Sequence, residues 1–190
     1  MRIIAGEFRS RKILPPASDT TRPITDRVKQ SLFDILTPRI EGAHVYDCFA
    51  GTGSMGLESL SRGAARATFF EADRSAAALL RKNIATLDVA RRSAVIDRDL
   101  FKWFETAPPP SPADARADIV FLDPPYRFLN ERPEALHKLA GQLMNHLAPG
   151  GVVVFRHDAK DSFDLPPLRE FDRREYGGMM IKLLTVPEAP

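Results

Sequence analysis

Residues 44–61 read H-V-Y-D-C-F-A-G-T-G-S-M-G-L-E-S-L-S: a short run suited to a buried strand, a glycine loop, and the opening of a helix. Gly51, Gly53 and Gly56 satisfy G-x-G-x-x-G, and Glu71 lies 20 residues after Gly51. This is the form of the dinucleotide fingerprint, in which glycines let the backbone turn tightly and approach a ligand at a helix N-terminus. Downstream, strand and helix patterns alternate. A-T-F-F-E precedes a helix over 75–87, A-V-I-D one through Trp103, and D-I-V-F-L-D one over about 134–147; G-V-V-V-F precedes two closing strands near 168–176 and 179–186. Such alternation predicts an α/β fold, an open and mostly parallel Rossmann-like sheet with helices on both faces. Ligands of these sheets bind outside the carboxyl ends of the strands, where the strand order reverses. Asp47, Glu71, Asp99 and Asp123 each read as closing a strand, so all four are expected around one crevice.

The chain has 190 residues, a net charge of +2 and no apolar run long enough to span a membrane, which suits one soluble domain with at most a small appendage. The opening residues M-R-I-I-A-G-E-F-R-S alternate and carry charge, unlike a signal peptide, so the protein reads as cytoplasmic. Cys48 stands alone, which excludes an internal disulfide, and His44, His137, His146 and His157 lack metal-ligand spacing; no metal is expected. A monomer is expected. Charge is uneven: residues 1–40 carry eight Lys and Arg against four acids, or +4, and the remainder carries −2. That basic arm, residues 1–40, reads as a short hairpin around Gly6–Ser10, stopped by Pro15 and Pro16, and then a helix. Thr25 is its N-cap, Val28, Leu32, Ile35 and Leu36 its apolar face, and Arg27 and Lys29 are read as exposed. Residues 41–190 form the ligand-binding domain, in which Ala107–Ala113, A-P-P-P-S-P-A, is a surface loop.

Asp47 bears on the ligand. A carboxylate at the end of the first strand repels a pyrophosphate at the adjoining helix N-terminus, which disfavours a nicotinamide cofactor. S-adenosylmethionine has no phosphate; it offers an ammonium, a cationic sulfonium and a ribose diol, and Asp47 complements its cationic end directly or through water. Gly51 and Gly53 admit its amino-acid portion, and Glu71 accepts from the ribose hydroxyls, with Asp73 as the alternative. Asp99 either accepts from the adenine amine or caps the helix beginning L-F-K-W-F.

A second stretch supplies the acceptor side. In A-D-I-V-F-L-D-P-P-Y-R-F, residues 117–128, a buried strand ends in an acid, two prolines and an aromatic that cannot extend it. The Asp123 carboxylate and the Pro124 carbonyl have the chemistry to accept both hydrogens of an exocyclic nucleobase amine, turning its lone pair toward a methyl carbon while Tyr126 stacks on the base.

The set D-C-F-A-G-T-G, F-F-E-A-D and D-P-P-Y resembles the class I S-adenosylmethionine-dependent methyltransferases. With I-I-A-G-E-F-R-S-R-K-I, R-P-I-T-D-R-V-K-Q-S-L-F-D-I-L (22–36) and G-L-E-S-L-S-R-G-A (56–64), nearly the whole chain resembles the bacterial RsmD family, which methylates guanine N2 in small-subunit (16S) ribosomal RNA. The resemblance implies a seven-stranded sheet with its last strand antiparallel and an amino-terminal extension over the active site that contacts RNA. It implies a donor set of Asp47, Phe49, Gly51, Gly53, Glu71, Asp99 and Leu100, catalysis by Asp123, Pro124 and Tyr126, and RNA contacts from Arg9, Arg11, Lys12, Arg22, Thr25 and Arg27. The substrate would be ribosomal RNA or a small-subunit assembly particle. Ile24, Gln30 and Arg156 depart from the family pattern, Arg156 standing where an acid is usual. Motif chemistry alone also allows adenine N6 or cytosine N4 as the acceptor, and a non-catalytic RNA-binding assembly factor is the reading from another class.

Overall fold

The computed structural model describes residues 1–16, 24–111 and 115–187. Its elements are α1 (Asp26–Leu36), β1 (His44–Cys48), α2 (Ser54–Ser61), β2 (Arg66–Phe70), α3 (Arg74–Leu87), β3 (Ser93–Ile96), α4 (Leu100–Thr106), β4 (Ala117–Leu122), α5 (Phe128–Glu131), α6 (Pro133–Leu143), β5 (Leu147–Asp158), β6 (Arg169–Tyr176) and β7 (Met179–Thr185). The seven strands form one sheet in the order β3-β2-β1-β4-β5-β7-β6. Pairing is parallel from β3 to β5, and β7 runs antiparallel to both of its neighbours. The Rossmann-like α/β architecture expected from the alternation is present. The chain moves outward from β1 to β3 and returns to place β4 on the other side of β1, which creates the switch point.

Register lines up the carboxyl edge. Cys48 pairs with both Phe70 and Leu122, Phe70 with Ile96, and Leu122 with Phe155. The next residue of each strand therefore stands in one row: Asp97, Glu71, Phe49, Asp123 and Arg156. Alternation splits the apolar residues between two faces. Val45, Phe69, Phe121, Val154 and Ile181 pack with residues of α1–α3 and of the amino-terminal segment. Tyr46, Phe70, Leu122 and Phe155 pack with α4–α6. The amino-terminal segment thus lays Ile3, Phe8, Ile13, Leu32 and Phe33 into a core shared with the sheet.

The short hairpin expected in the arm is present: Arg2 bridges Lys12, and the N–H groups of Ile3, Ser10 and Ile13 donate to the carbonyls of Arg11, Ile3 and Met1 at 3.0, 2.9 and 3.1 Å. Further donors of the arm reach α2: the N–H groups of Ile4 and Ala5 donate to the Glu58 carboxylate at 2.8 and 3.0 Å, and Glu7 N–H to the Ser61 carbonyl at 2.7 Å. Other expectations need correction. Thr25 does cap α1, accepting from Val28 N–H, but Lys29 is buried together with Leu32, Phe33 and Leu36. The buried stripe is one residue out of phase with that read from Val28 and Ile35. The helix placed over 134–147 ends at Leu143, and Leu147 already belongs to β5. Part of the proline loop, 112–114, lies outside the described residues, as does Arg22. No helix among the described residues is long and apolar enough to cross a membrane.

Candidate active site

The glycine loop is held by its neighbours. Gly53, at φ +88°, is the N-cap of α2, and a Cβ there would come within 2.4 Å of Leu80 Cδ1. At Gly56 a Cβ would meet the Phe69 ring at 2.3 Å, so α2 presses directly on β2. Asp47 is 3% exposed and accepts from Gly56 N–H at 2.8 Å, tying β1 to the first turn of α2. Burial pushes its carboxyl up to about 8, and the charges of Asp123 and Glu71 push in the same direction.

Glu71 closes the other side of the loop. One of its oxygens accepts from Gly51 N–H and the other from Asp73 N–H, both at 2.7 Å. Each keeps a lone pair for a ligand hydroxyl. Burial raises this carboxyl as well, against those two backbone donors. Asp73, the alternative ribose partner, caps α3 by accepting from Ala76 N–H.

Asp47, Phe49, Gly51, Asp123 and Arg156 line one cleft together with Met1, Pro16 and Ile24 of the amino-terminal segment. Phe49, Glu71, Asp99, Leu100 and Phe101 line a second cleft of about 250 Å³ that shares Phe49 with the first. Phe49 has a φ of +62°, an unusual conformation for an aromatic residue. Its ring lies edge-on to Phe101 and Phe128. The two clefts together suit S-adenosylmethionine: a buried acid and open backbone at one end, a carboxylate with spare lone pairs in the middle, and an aromatic wall at the other.

Asp99 does not close its strand. It lies beyond β3, which ends at Ile96 and is followed by Asp97, and it caps α4 by accepting from Phe101 N–H at 2.9 Å. Its other oxygen faces Arg132 at 3.9 Å on the cleft rim. Gly53 and Pro124 are buried; Tyr126 is half-buried with its hydroxyl oxygen sealed from solvent. Arg9, Arg11, Lys12, Thr25 and Arg27 are exposed, and Arg11 donates to the Thr86 carbonyl at the end of α3.

Three features of the cleft were not legible as site residues in the sequence. Arg132 stacks 4.2 Å above the Phe101 ring. Ile24 and Met1 help to line the cleft. Arg156 grips Asp123 with both prongs of its guanidinium, Nε to Oδ1 at 2.6 Å and Nη2 to Oδ2 at 2.5 Å. The signal for Arg156 was present, since it is a lone charge ending the apolar run V-V-V-F, but only register reveals its partner.

The family model described as Conserved hypothetical protein 95 matches residues 1–185. Ribosomal RNA small subunit methyltransferase D of Haemophilus influenzae is 39% identical over 153 residues, covering 80% of this chain and 76% of that protein. The chain belongs to the RsmD family. An Escherichia coli (strain K12) member with the same name is 44% identical over 127 residues, 67% of this chain; the match spans only 61% of that relative. Among solved structures, yhhF from Escherichia coli superposes with a TM-score of 0.79 at 31% identity, covering 97% of this chain and 96% of that one. The sheet described above is the class I methyltransferase fold.

Proposed function

We propose that the protein transfers a methyl group from S-adenosylmethionine to the exocyclic N2 amine of a guanine in small-subunit ribosomal RNA. The observation that carries this reading is the common cleft of Asp47, Gly51 and Asp123, which joins a pocket suited to a cationic methyl donor to a strand end suited to an amine. Membership of the RsmD family supports the guanine and the RNA. When bound, the donor supplies an electrophilic methyl carbon on a sulfonium. Asp47, Phe49 and the Gly51 backbone would hold its cationic end, Glu71 its ribose, and Asp99, Leu100 and Phe101 its base.

The protein's own part is orientation. A nucleobase amine is a poor nucleophile because its lone pair is delocalised into the ring. Asp123 and the Pro124 carbonyl accept its hydrogens and turn the lone pair out of that conjugation. Pro124 and Pro125 lack backbone donors and make the turn stiff. No strong base is needed before attack, because the alkylated nitrogen is acidic and loses a proton to Asp123 or water. A base paired in a duplex is out of reach of a strand-end pocket, so it must be presented unpaired or flipped. The exposed Arg9, Arg11, Lys12 and Arg27, together with Arg22, are the candidates for phosphate contacts.

The test is tritiated methyl transfer to ribosomal RNA and small-subunit particles that lack the modification, followed by nucleoside analysis. Label in N2-methylguanosine is the expected result. Label in N6-methyladenosine or N4-methylcytidine would move the assignment to those amines. No transfer, with donor binding absent with and without RNA, would favour the non-catalytic assembly factor.

A further inference from the structure

Asp123 stands at a site where an acid would ordinarily keep its proton. The cavity beside it is walled by Leu32, Met55, Phe121, Val154 and Ile181, and burial outweighs the neighbouring guanidinium and leaves its carboxyl above the ordinary value. A protonated Asp123 is a donor, whereas gripping an amine requires an acceptor. Arg156 opposes that protonation. It follows Phe155 on β5 as Asp123 follows Leu122 on β4, and those two residues are paired, so the sheet itself delivers the guanidinium to the carboxylate. The Arg156 side chain is only 9% exposed, while that of Asp123 is 27% exposed, toward the cleft. Two parallel bonds fix the plane of the carboxylate and take one lone pair on each oxygen. The remaining lone pairs are left for a ligand.

We infer that Arg156 is a positioning residue for methyl transfer: it keeps Asp123 ionised in an apolar setting and aims the open side of the carboxylate at the base amine. This rests on the reading of Asp123 as the group that grips that amine. The surrounding charges fit the role. Around Asp123 stand Arg156 on β5 and Asp47 on β1, with Tyr126 in the exit turn acting on Arg156 and Glu71 beyond β2 acting on Asp47. The two cleft acids are therefore treated differently. Asp123 has a built-in counter-ion, whereas Asp47 meets its cation in the donor. Arginine suits the task because its fork is planar and it does not lose its proton on burial, as lysine can.

The test compares wild type, Arg156→Met, Arg156→Lys, Asp123→Asn and the double variant Arg156→Met/Asp123→Asn. In Arg156→Met the acid limb of the pH–kcat profile is expected to move up by a pH unit or more. kcat at neutral pH should fall at least tenfold, and the calorimetric Kd for S-adenosylmethionine should stay within threefold. Arg156→Lys, which keeps the charge but loses the fork, should recover part of kcat.

A second readout needs no substrate. Without its partner, folded Asp123 keeps its proton to a higher pH than in wild type, while the unfolded chain releases it above the ordinary pKa in both, so the stability deficit of Arg156→Met should grow as pH rises from acid toward neutrality. Adding Asp123→Asn should remove that growth. An unchanged pH–kcat profile, or a deficit independent of pH, would overturn the inference. If Arg156→Met does not fold, recovery of folding in the double variant supports it and continued failure overturns it. Should wild type methylate no RNA, the functional reading falls, and the stability comparison still decides whether Arg156 keeps Asp123 ionised.

Discussion

Lys29 Nζ lies 3.2 Å from Glu58 Oε2, and the two side chains are 2% and 0% exposed. The pair joins the first helix to the one that follows the glycine loop. Lys29 also donates to the Arg2 carbonyl at 2.9 Å, and Glu58 accepts from Arg62 at 2.8 Å as well as from the Ile4 and Ala5 N–H groups. Burial lowers the Lys29 ammonium while Glu58 holds it up. Glu58→Ala would leave a sealed cation and two backbone donors without this acceptor. The expected loss is about 3–5 kcal/mol, read by urea unfolding, and pairing the change with Lys29→Met should restore much of it. A loss below about 1 kcal/mol would show that the cluster does not hold the arm.

Asp47 sets a pH dependence. Between its ordinary 3.8 and the folded value of about 8, the native protein holds a proton that the unfolded chain has released, so stability falls as pH rises through that window. Asp47→Asn removes the titration and still offers an oxygen to Gly56 N–H. Its melting temperature should therefore change less between those pH values and exceed that of wild type at the upper end. S-adenosylmethionine binding should weaken, and the proton release expected when wild type binds donor at neutral pH, read by calorimetry in buffers of different ionisation enthalpy, should disappear. An identical slope in wild type and variant would mean that Asp47 is already ionised.

The two remaining acids should divide donor binding from turnover. Asp123→Asn is chosen over alanine because it keeps a partner for the buried Arg156. It should lower kcat about a hundredfold or more, with donor Kd within threefold. Glu71→Ala should weaken donor binding by about ten- to a hundredfold, the scale of a missing charge-assisted hydrogen bond. Equal loss of donor affinity in both variants would defeat the division.

Gly56 has no room for a methyl group. The Phe69 ring atom 2.3 Å from the Cβ position belongs to the core, so Gly56→Ala should destabilise by about 1–3 kcal/mol through overpacking. Urea denaturation checks this, and a neutral outcome would mean that α2 shifts freely on β2.

The basic arm should act through phosphate charge. Charge reversal at Arg9 and Arg27, both exposed, should weaken RNA binding at low salt. The slope of log K against log salt should fall by about 0.7–0.9 for each phosphate no longer neutralised, with donor affinity unchanged. An unaltered slope would remove these residues from the RNA path.

What could be read in one dimension was whatever depends on near neighbours. The β1–loop–α2 unit, the order of strands and helices, the Thr25 cap and the abrupt stop at Asp123-Pro124-Pro125 are each set by periodicity, caps and proline chemistry within a few residues, and each is where the sequence placed it apart from the end of α6 and the strand end read at Asp99. The adjacency of Asp123 and Arg156, 33 residues apart, follows only from the pairing of β4 with β5. The burial of Lys29 follows only from Glu58 lying opposite α1, where an ion pair overrides the usual exposure of a lysine. The docking of the arm on α2 follows only from Glu58 and Ser61 accepting the backbone donors that its hairpin leaves over. Local preference is a property of a segment, whereas partnership belongs to the packed molecule, and here that distinction separates the legible framework from the charge arrangement of the cleft.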